Sequence, residues 1–177
     1  MKKIVIASAL LLISPFMAFC QTWNPVTYNI SFKVKNAGVA VNGKLSNLKT
    51  EIVFNPEKLS SSKLKGYVES ATLKTGIGLR DKTIKDDHYL HVEKYKLIEI
   101  SSVKLYPKGT QYAGMFNVTI KGTTKEMEIP FDFIQLGDEA DFNSTFTLNR
   151  KDFNVGGNSM TMSDDVTVTI KLKARRS

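Results

Sequence analysis

The chain has 177 residues, a formal net charge of +8 at pH 7 and a single cysteine. One cysteine cannot form an intramolecular disulfide, so a disulfide-stapled scaffold is excluded and the fold must be stabilised by its own core. The lysines are dispersed and often alternate with apolar residues, a pattern typical of solvated strand faces and not of a nucleic-acid interface. Attraction to anionic lipid headgroups stays open.

The first twenty residues predict a secretory signal peptide. Lys2 and Lys3 precede an apolar run, and the small residues Ala18 and Cys20 stand before Gln21. The run is too short to span a membrane with flanks. We expect cleavage after Cys20, which places the mature protein in the periplasm or outside the cell. Lipidation of Cys20 is the disfavoured alternative, because the bulky Phe19 stands where a lipoprotein site has a small residue.

After residue 20, the dominant hydrophobic period is two, which predicts β-strands with one buried and one solvated face. Turn signals rich in glycine, asparagine and proline separate the strands, and the chain shows no internal repeat. We therefore expect one domain over residues 21–177, and eight or so strands favour a closed antiparallel barrel or a sandwich. The clearest alternating segments are 28–34, 39–45, 52–54, 98–100, 116–120, 127–133, 142–148 and 166–172.

The stretch from Arg80 to Tyr95 departs from this period. Its apolar residues fall closer to helical spacing, and Asp81 is available near the start as a helix cap. We predict one or two short helical turns that lie across a barrel opening.

Candidate catalytic and metal-binding residues are few. His88 and His91 are the only histidines, and on a helix their spacing would put two imidazoles on one face beside Asp86 and Asp87. A metal site would need a further ligand from Asp or Glu, so we favour a polar helix edge with incidental histidines. No nucleophile elbow or phosphate-binding loop is present. We therefore expect a protein that is not an enzyme, with no metal and no cofactor.

The interior of the predicted barrel is the remaining candidate site. An eight-stranded barrel is just wide enough to be filled by side chains or to hold one ligand. The number of apolar residues alone does not distinguish a filled barrel from a ligand-binding one. Gly43, Gly66 and Gly122 occupy positions where inward side chains could stand, which slightly favours a hollow interior.

Four segments in the same order resemble the YceI-like family of bacterial lipid- or polyisoprenoid-binding proteins, over nearly the whole mature chain. The first is the hairpin 30–45. The second runs from Thr75-Gly76 through Arg80-Asp81 to Tyr95 and on to Ile98-Glu99-Ile100. The third and fourth are Val118-Thr119-Ile120-Lys121-Gly122-Thr123-Thr124-Lys125 with Ile129-Pro130, and Arg150-Lys151-Asp152-Phe153-Asn154 before the final strand.

The resemblance implies an all-β, extended eight-stranded antiparallel lipocalin-like barrel whose apolar interior holds an isoprenoid or another long amphiphile. The sequence departs from the family pattern at four places, which include Leu90-His91, Lys96 and Asn36. Asn154 stands where the family has glycine. Because these departures cluster near the helical segment and the strand ends, the identity of the ligand does not carry over. We interpret the matched Arg80, Asp81, Arg150 and Asp152 as structural residues.

Strand parity and the matched motifs together predict the residues that line the barrel and contact a ligand. They are Ile30, Phe32, Val41, Leu45, Phe54, Val68, Tyr89, Tyr95, Ile98, Ile100, Phe116, Val118, Ile120, Phe131, Phe133, Phe146, Leu148, Phe153, Val168 and Ile170.

The leading hypothesis is a secreted or periplasmic protein that sequesters or carries an isoprenoid, quinone-like or fatty-acyl molecule. We expect it to catalyse no covalent chemistry and to bind no nucleic acid. The sequence is compatible with peripheral membrane contact and with a homodimer. The alternative is a filled-barrel stress-response or interaction protein that acts through its outer surface.

Overall fold

Nine β-strands and one α-helix form the part of the chain described by the structure, residues 21–177 of a computed structural model. The predicted signal peptide and Cys20 lie outside these residues. The strands are β1 (Thr22–Asn36), β2 (Val39–Leu45), β3 (Lys49–Val53), β4 (Lys63–Glu69), β5 (Leu97–Lys108), β6 (Gln111–Ile120), β7 (Thr123–Leu136), β8 (Glu139–Asn149) and β9 (Met162–Arg176). The helix α1 (Gly78–Lys85) lies between β4 and β5, and short 3₁₀ turns cover Leu59–Ser61, Ser70–Thr72 and Arg150–Phe153.

Eight of these strands close into an antiparallel barrel, as the resemblance implied. The ring runs β1-β3-β4-β5-β6-β7-β8-β9, and β9 pairs with β1 from Trp23 to Asn36. Only Thr22 and Trp23 of β1 pair with β3. The second half of the same β1 edge pairs with β2, which is a ninth strand beside the ring. Closure leaves few unpaired strand edges, which protects such a sheet from pairing with other chains.

The two ends of the barrel differ in structure. The helix end carries α1, the β1–β2 turn, the β6–β7 turn and the β8–β9 loop at 154–161. The plug end carries the β3–β4, β5–β6 and β7–β8 connections and both ends of the described chain. Among residues 21–177, no helix combines the length and the apolar character needed to span a bilayer.

An aromatic plug fills the barrel near the plug end. The Phe54 ring is the centre of this cluster, and its side chain is fully buried. Its centroid lies 4.8 Å from that of Phe133 and 5.6 Å from that of Phe131. Trp23 packs edge-on against Phe133, and its indole nitrogen donates a 3.0 Å hydrogen bond to the Phe54 carbonyl. Edge-to-face packing of this kind adds to the free energy gained from burial alone, so the plug contributes to the stability of this end of the barrel.

The segment predicted to be helical is only partly so. Helix α1 covers Gly78–Lys85, and residues 86–95 form turns. Ile77 is the N-cap residue, so the prediction that Asp81 caps the helix is wrong. Asp81 lies in the first turn, where its carboxylate accepts a 2.7 Å hydrogen bond from the Thr75 backbone amide and a second from the Thr75 hydroxyl. A carboxylate here also interacts favourably with the helix dipole.

The two histidines lie beyond the end of α1, so they do not share a helix face. His88 is almost fully exposed, and His91 has a positive φ of 49° with its ring edge-on to Tyr95. Among residues 21–177, no three side chains of His, Cys, Asp or Glu come together in a way that could hold a metal ion.

Candidate functional site

An apolar cavity of about 300 Å³ occupies the half of the barrel above the plug. Phe131 and Phe142 belong to both the plug and the cavity wall. At the helix end, Ile84, Leu90 and Met162 contribute to the wall. The cavity therefore lies between the aromatic plug and a cover made by the α1 segment and the β8–β9 loop. This volume is at the lower end of the range for ligand pockets in proteins.

The structure brings sixteen of the twenty predicted lining residues to this cavity. They come from every strand of the ring except β3, from β2 and from the cover: Ile30, Phe32, Leu45, Val68, Tyr89, Ile98, Ile100, Phe116, Val118, Ile120, Phe131, Phe146, Leu148, Phe153, Val168 and Ile170. Whether they contact a ligand stays a prediction.

Four of the predicted lining residues lie elsewhere. Phe54 and Phe133 do point inward, but they belong to the plug. Val41 is on β2, opposite Val34 and outside the ring of eight strands. Tyr95 packs over the β6–β7 turn, where a Cβ on Gly122 would overlap its ring. The alternation along a strand tells which face a side chain is on, but not how far along the barrel axis it lies. It therefore could not distinguish plug residues from cavity residues.

Sequence reasoning missed several wall residues. Strand β3 and its approach contribute Leu48, Thr50 and Ile52, and the segment before α1 contributes Leu73. Val34, Leu64, Ile129 and Leu172 continue the same inward faces that parity had already assigned. The alternation was therefore sufficient to find these last four. Ile52 likewise shares the parity of Phe54 in the alternating segment 52–54, whereas Leu48 and Thr50 lie before that segment and Leu73 lies outside the strands.

The three glycines that favoured a hollow interior have three different roles. Gly66 lies in the cavity wall, and a Cβ built on it would have no neighbour closer than 3.7 Å, so it does leave room. The space beside Gly43 is filled by the Phe32 ring. Gly122 has a φ of 74° and forms the β6–β7 turn, so its conformation and not a cavity requires glycine.

The cover is held in place by Arg150, the one buried charged side chain among residues 21–177. Its guanidinium donates to the carbonyls of Val155 (2.8 Å), Gly157 (2.7 Å), Ser163 (3.1 Å) and Met162 (3.3 Å). It also forms a 2.9 Å ion pair with Asp164. A planar fork of five donors suits this set of acceptors, and full pairing offsets the cost of burying the charge.

Other matched polar residues also organise the cover. Arg80 donates a 2.8 Å hydrogen bond to the Thr75 hydroxyl and a 3.0 Å bond to the Thr75 carbonyl. Asn154, which stands where the family pattern has glycine, is in the left-handed conformation with a φ of 55° and ends the 3₁₀ turn. Because asparagine tolerates this conformation better than most residues, the substitution preserves the turn.

A family model described as "YceI-like domain" matches residues 22–174, which is nearly all of the described chain. The chain belongs to the YceI-like family. A UPF0312 protein of Vibrio vulnificus is 27% identical to it over 169 residues, which cover 88% of this chain and 89% of the relative. The family assignment predicted from the four sequence motifs is therefore confirmed.

Solved structures show the same barrel. Burkholderia cenocepacia BcnA aligns with a TM-score of 0.79 at 20% identity, over 82% of this chain and 95% of BcnA. A polyisoprenoid binding domain from Saccharophagus degradans aligns with a TM-score of 0.71 at 10% identity, over 89% of this chain and 99% of that domain. At these identities the likeness shows the YceI-like fold.

Proposed function

We propose that this YceI-like protein binds the apolar tail of an isoprenoid or another long-chain amphiphile in its barrel cavity. It acts in the periplasm or outside the cell, as a carrier or sequestering protein without covalent chemistry. The observation that carries the proposal is the cavity itself, which is walled almost wholly by apolar side chains. The polyisoprenoid binding domain with the same fold is consistent with such a ligand.

The size of the cavity limits what it can hold. A group the size of a water molecule, such as a methylene, occupies about 30 Å³ in a liquid. The cavity of about 300 Å³ therefore accepts roughly ten such groups. A longer prenyl or acyl chain would have to extend out through the cover, past α1 and the 154–161 loop. We therefore propose that the head and the outer part of a long ligand stay at the helix end.

A chain-length series tests the proposal. Each buried methylene contributes about 0.8 kcal/mol, which is roughly a fourfold gain in affinity. Displacement of a fluorescent hydrophobic probe by alkyl or prenyl alcohols should improve by about this factor per carbon and level off near ten carbons. Native mass spectrometry of the protein as purified should reveal a co-purifying species with an alkyl or prenyl tail.

Two results together would contradict the proposal. Probe uptake that is absent, or that does not respond to chain length, together with protein that carries no lipid, would overturn the proposal. It would favour the alternative of a protein that acts through its outer surface.

A further inference from the structure

Four large apolar side chains are exposed at the helix end. They are Val39 after the β1–β2 turn, Ile77 and Leu79 at the start of α1, and Met160 in the β8–β9 loop. Leu79 is 79% exposed. We name these four residues the apolar tips.

Hydrogen bonds tie the segments that carry the apolar tips to one another. The Ala37 amide in the β1–β2 turn donates to the Thr161 carbonyl, next to Met160, at 2.8 Å. Lys44 of β2 and Lys74 exchange two backbone hydrogen bonds in an antiparallel bridge. Because the bridge is antiparallel, β2 followed back to Val39 and the segment before α1 followed forward to Ile77 both lead to the same end of the barrel.

The segments at this end of the barrel are rich in lysine. Residues 33–44, 74–85 and 154–162 contain six lysines and one arginine but only one acid, Asp81, whose carboxylate is engaged by Thr75. These segments carry a net charge of +6, and the next two residues, Asp86 and Asp87, reduce it to +4. Five of the six lysines are exposed: Lys33, Lys35, Lys44, Lys74 and Lys82.

We infer that the helix end docks onto an anionic phospholipid surface, with the apolar tips inserted among the headgroups and the lysines against the phosphates. Exposed apolar side chains together with lysines are the combination that binds reversibly at such an interface. An uncharged or cationic surface would not satisfy the lysines. This orientation also turns the cover of the cavity toward the membrane.

The plug end shows why exposure of apolar residues alone does not suffice. Leu136 there is 85% exposed, slightly more than Leu79. Its neighbours in the β7–β8 turn and in β8 are acids that pair with cations of β9, as Asp138 does with Arg176 and Glu139 with Arg175. The arginines of β9 beside Leu136 are therefore paired with acids of the same fold, which makes Leu136 a matched control.

Vesicle co-sedimentation tests the inference, with phosphatidylcholine vesicles that contain or lack phosphatidylglycerol. Wild-type protein should bind the anionic vesicles more tightly, and the binding should weaken as salt is added. Leu79→Ser should lower this binding on the order of tenfold, whereas Leu136→Ser should leave it within twofold of wild type. All variants share one N-terminus, so that segment contributes equally to each measurement.

A charge-matched pair of variants tests the lysines. Each lysine near an anionic surface contributes about fivefold to partitioning, so Lys35→Gln with Lys82→Gln should weaken binding by roughly 25-fold. Lys58→Gln with Lys104→Gln removes the same charge away from the helix end and should have a much smaller effect. These substitutions are at exposed positions, and thermal melts should confirm unchanged folding.

The inference is overturned if both helix-end variants bind anionic vesicles as their controls do. It is also overturned if Leu79→Ser changes the solution mass of the protein in sedimentation velocity without changing vesicle binding, because a second copy of the chain would then cover the apolar tips. The inference goes beyond the proposed function: the vesicle assay measures the outer surface and the chain-length series measures the cavity, so either can fail alone.

Discussion

The Phe32 ring lies over Gly43, its partner across the β1–β2 pair, in the space that a side chain at residue 43 would fill. Phe32 also lines the cavity. The absence of a side chain at Gly43 thus sets the position of an aromatic wall residue. The carbonyl of Lys74, 3.2 Å from the position of a Cβ at residue 43, closes the same space from the other side.

Gly43→Ala should therefore destabilise the protein and narrow the cavity. The methyl group would overlap the Phe32 ring, and relief by moving the ring costs about 1–3 kcal/mol, as overpacking does elsewhere. Urea denaturation should show this loss, and the chain-length series should level off at a shorter tail. Gly66→Ala is the control, since its nearest neighbours are 3.7 Å away, so it should fill some of the cavity without comparable strain. Equal destabilisation by the two variants would contradict this account.

The contrast between Gly43 and Gly66 shows how far the sequence could go. Alternation along β1, β6 and β9 placed Ile30, Val118 and Val168 on the inner face correctly, because a strand buried on one side leaves a period of two in its sequence. The family resemblance supplied the closure of the ring. Neither source could tell that one glycine leaves a void and the other receives a ring, since that depends on a contact across strands.

The position of a residue along the barrel axis could not be predicted from the sequence either. Phe54 and Phe131 carry the same parity signal, yet only Phe131 reaches the cavity wall. The difference arises from the height of Phe54, whose carbonyl accepts the hydrogen bond from the Trp23 indole. That height is set by the short β1–β3 pairing at Thr22 and Trp23. Such a local register cannot be read from hydrophobic period.

Arg150→Ala should loosen the cover. The substitution removes five hydrogen bonds and leaves the carbonyls of Val155, Gly157 and Ser163 without their donor, at a cost of at least about 2 kcal/mol. Hydrogen exchange should rise first in residues 154–162, and bound probe should dissociate faster. Arg150→Lys keeps the charge but not the fork of donors, so it should restore only part of the stability. Full restoration by lysine would show that charge, and not the fork, holds the loop.

The stability that Asp81 contributes should depend on pH. Its hydrogen bonds from the Thr75 side chain and backbone lower the pKa of Asp81 below its ordinary value of 3.8, so the folded state favours the ionised carboxylate. This contribution is complete above the unfolded pKa and is lost as the pH falls through the lower folded pKa. Asp81→Asn should therefore melt at a lower temperature than wild type at neutral pH, and the difference should shrink below about pH 3.8. A melting difference that is constant down to low pH would show that the carboxylate charge plays no part.

Thr50→Val should stabilise the fold and improve the cavity for an apolar tail. The Thr50 hydroxyl is buried in the cavity wall and has no hydrogen-bond partner within residues 21–177. Burying such a hydroxyl costs on the order of 1 kcal/mol, and valine keeps the shape of threonine while removing the polar atom. Denaturation should thus show a gain of about 1 kcal/mol, with tighter uptake of alkyl alcohols.

Thr145→Val is the matched control for Thr50→Val, because the Thr145 hydroxyl is exposed and hydrogen-bonded to that of Thr169 across β8 and β9. Removing it should give no comparable gain in stability and no change in uptake. The two variants also test whether the natural ligand has a polar group inside the cavity. If Thr50→Val stabilises the empty protein but weakens retention of the natural co-purifying molecule, the hydroxyl donates or accepts a hydrogen bond in the complex, and the ligand carries a polar group within the cavity as well as an apolar tail.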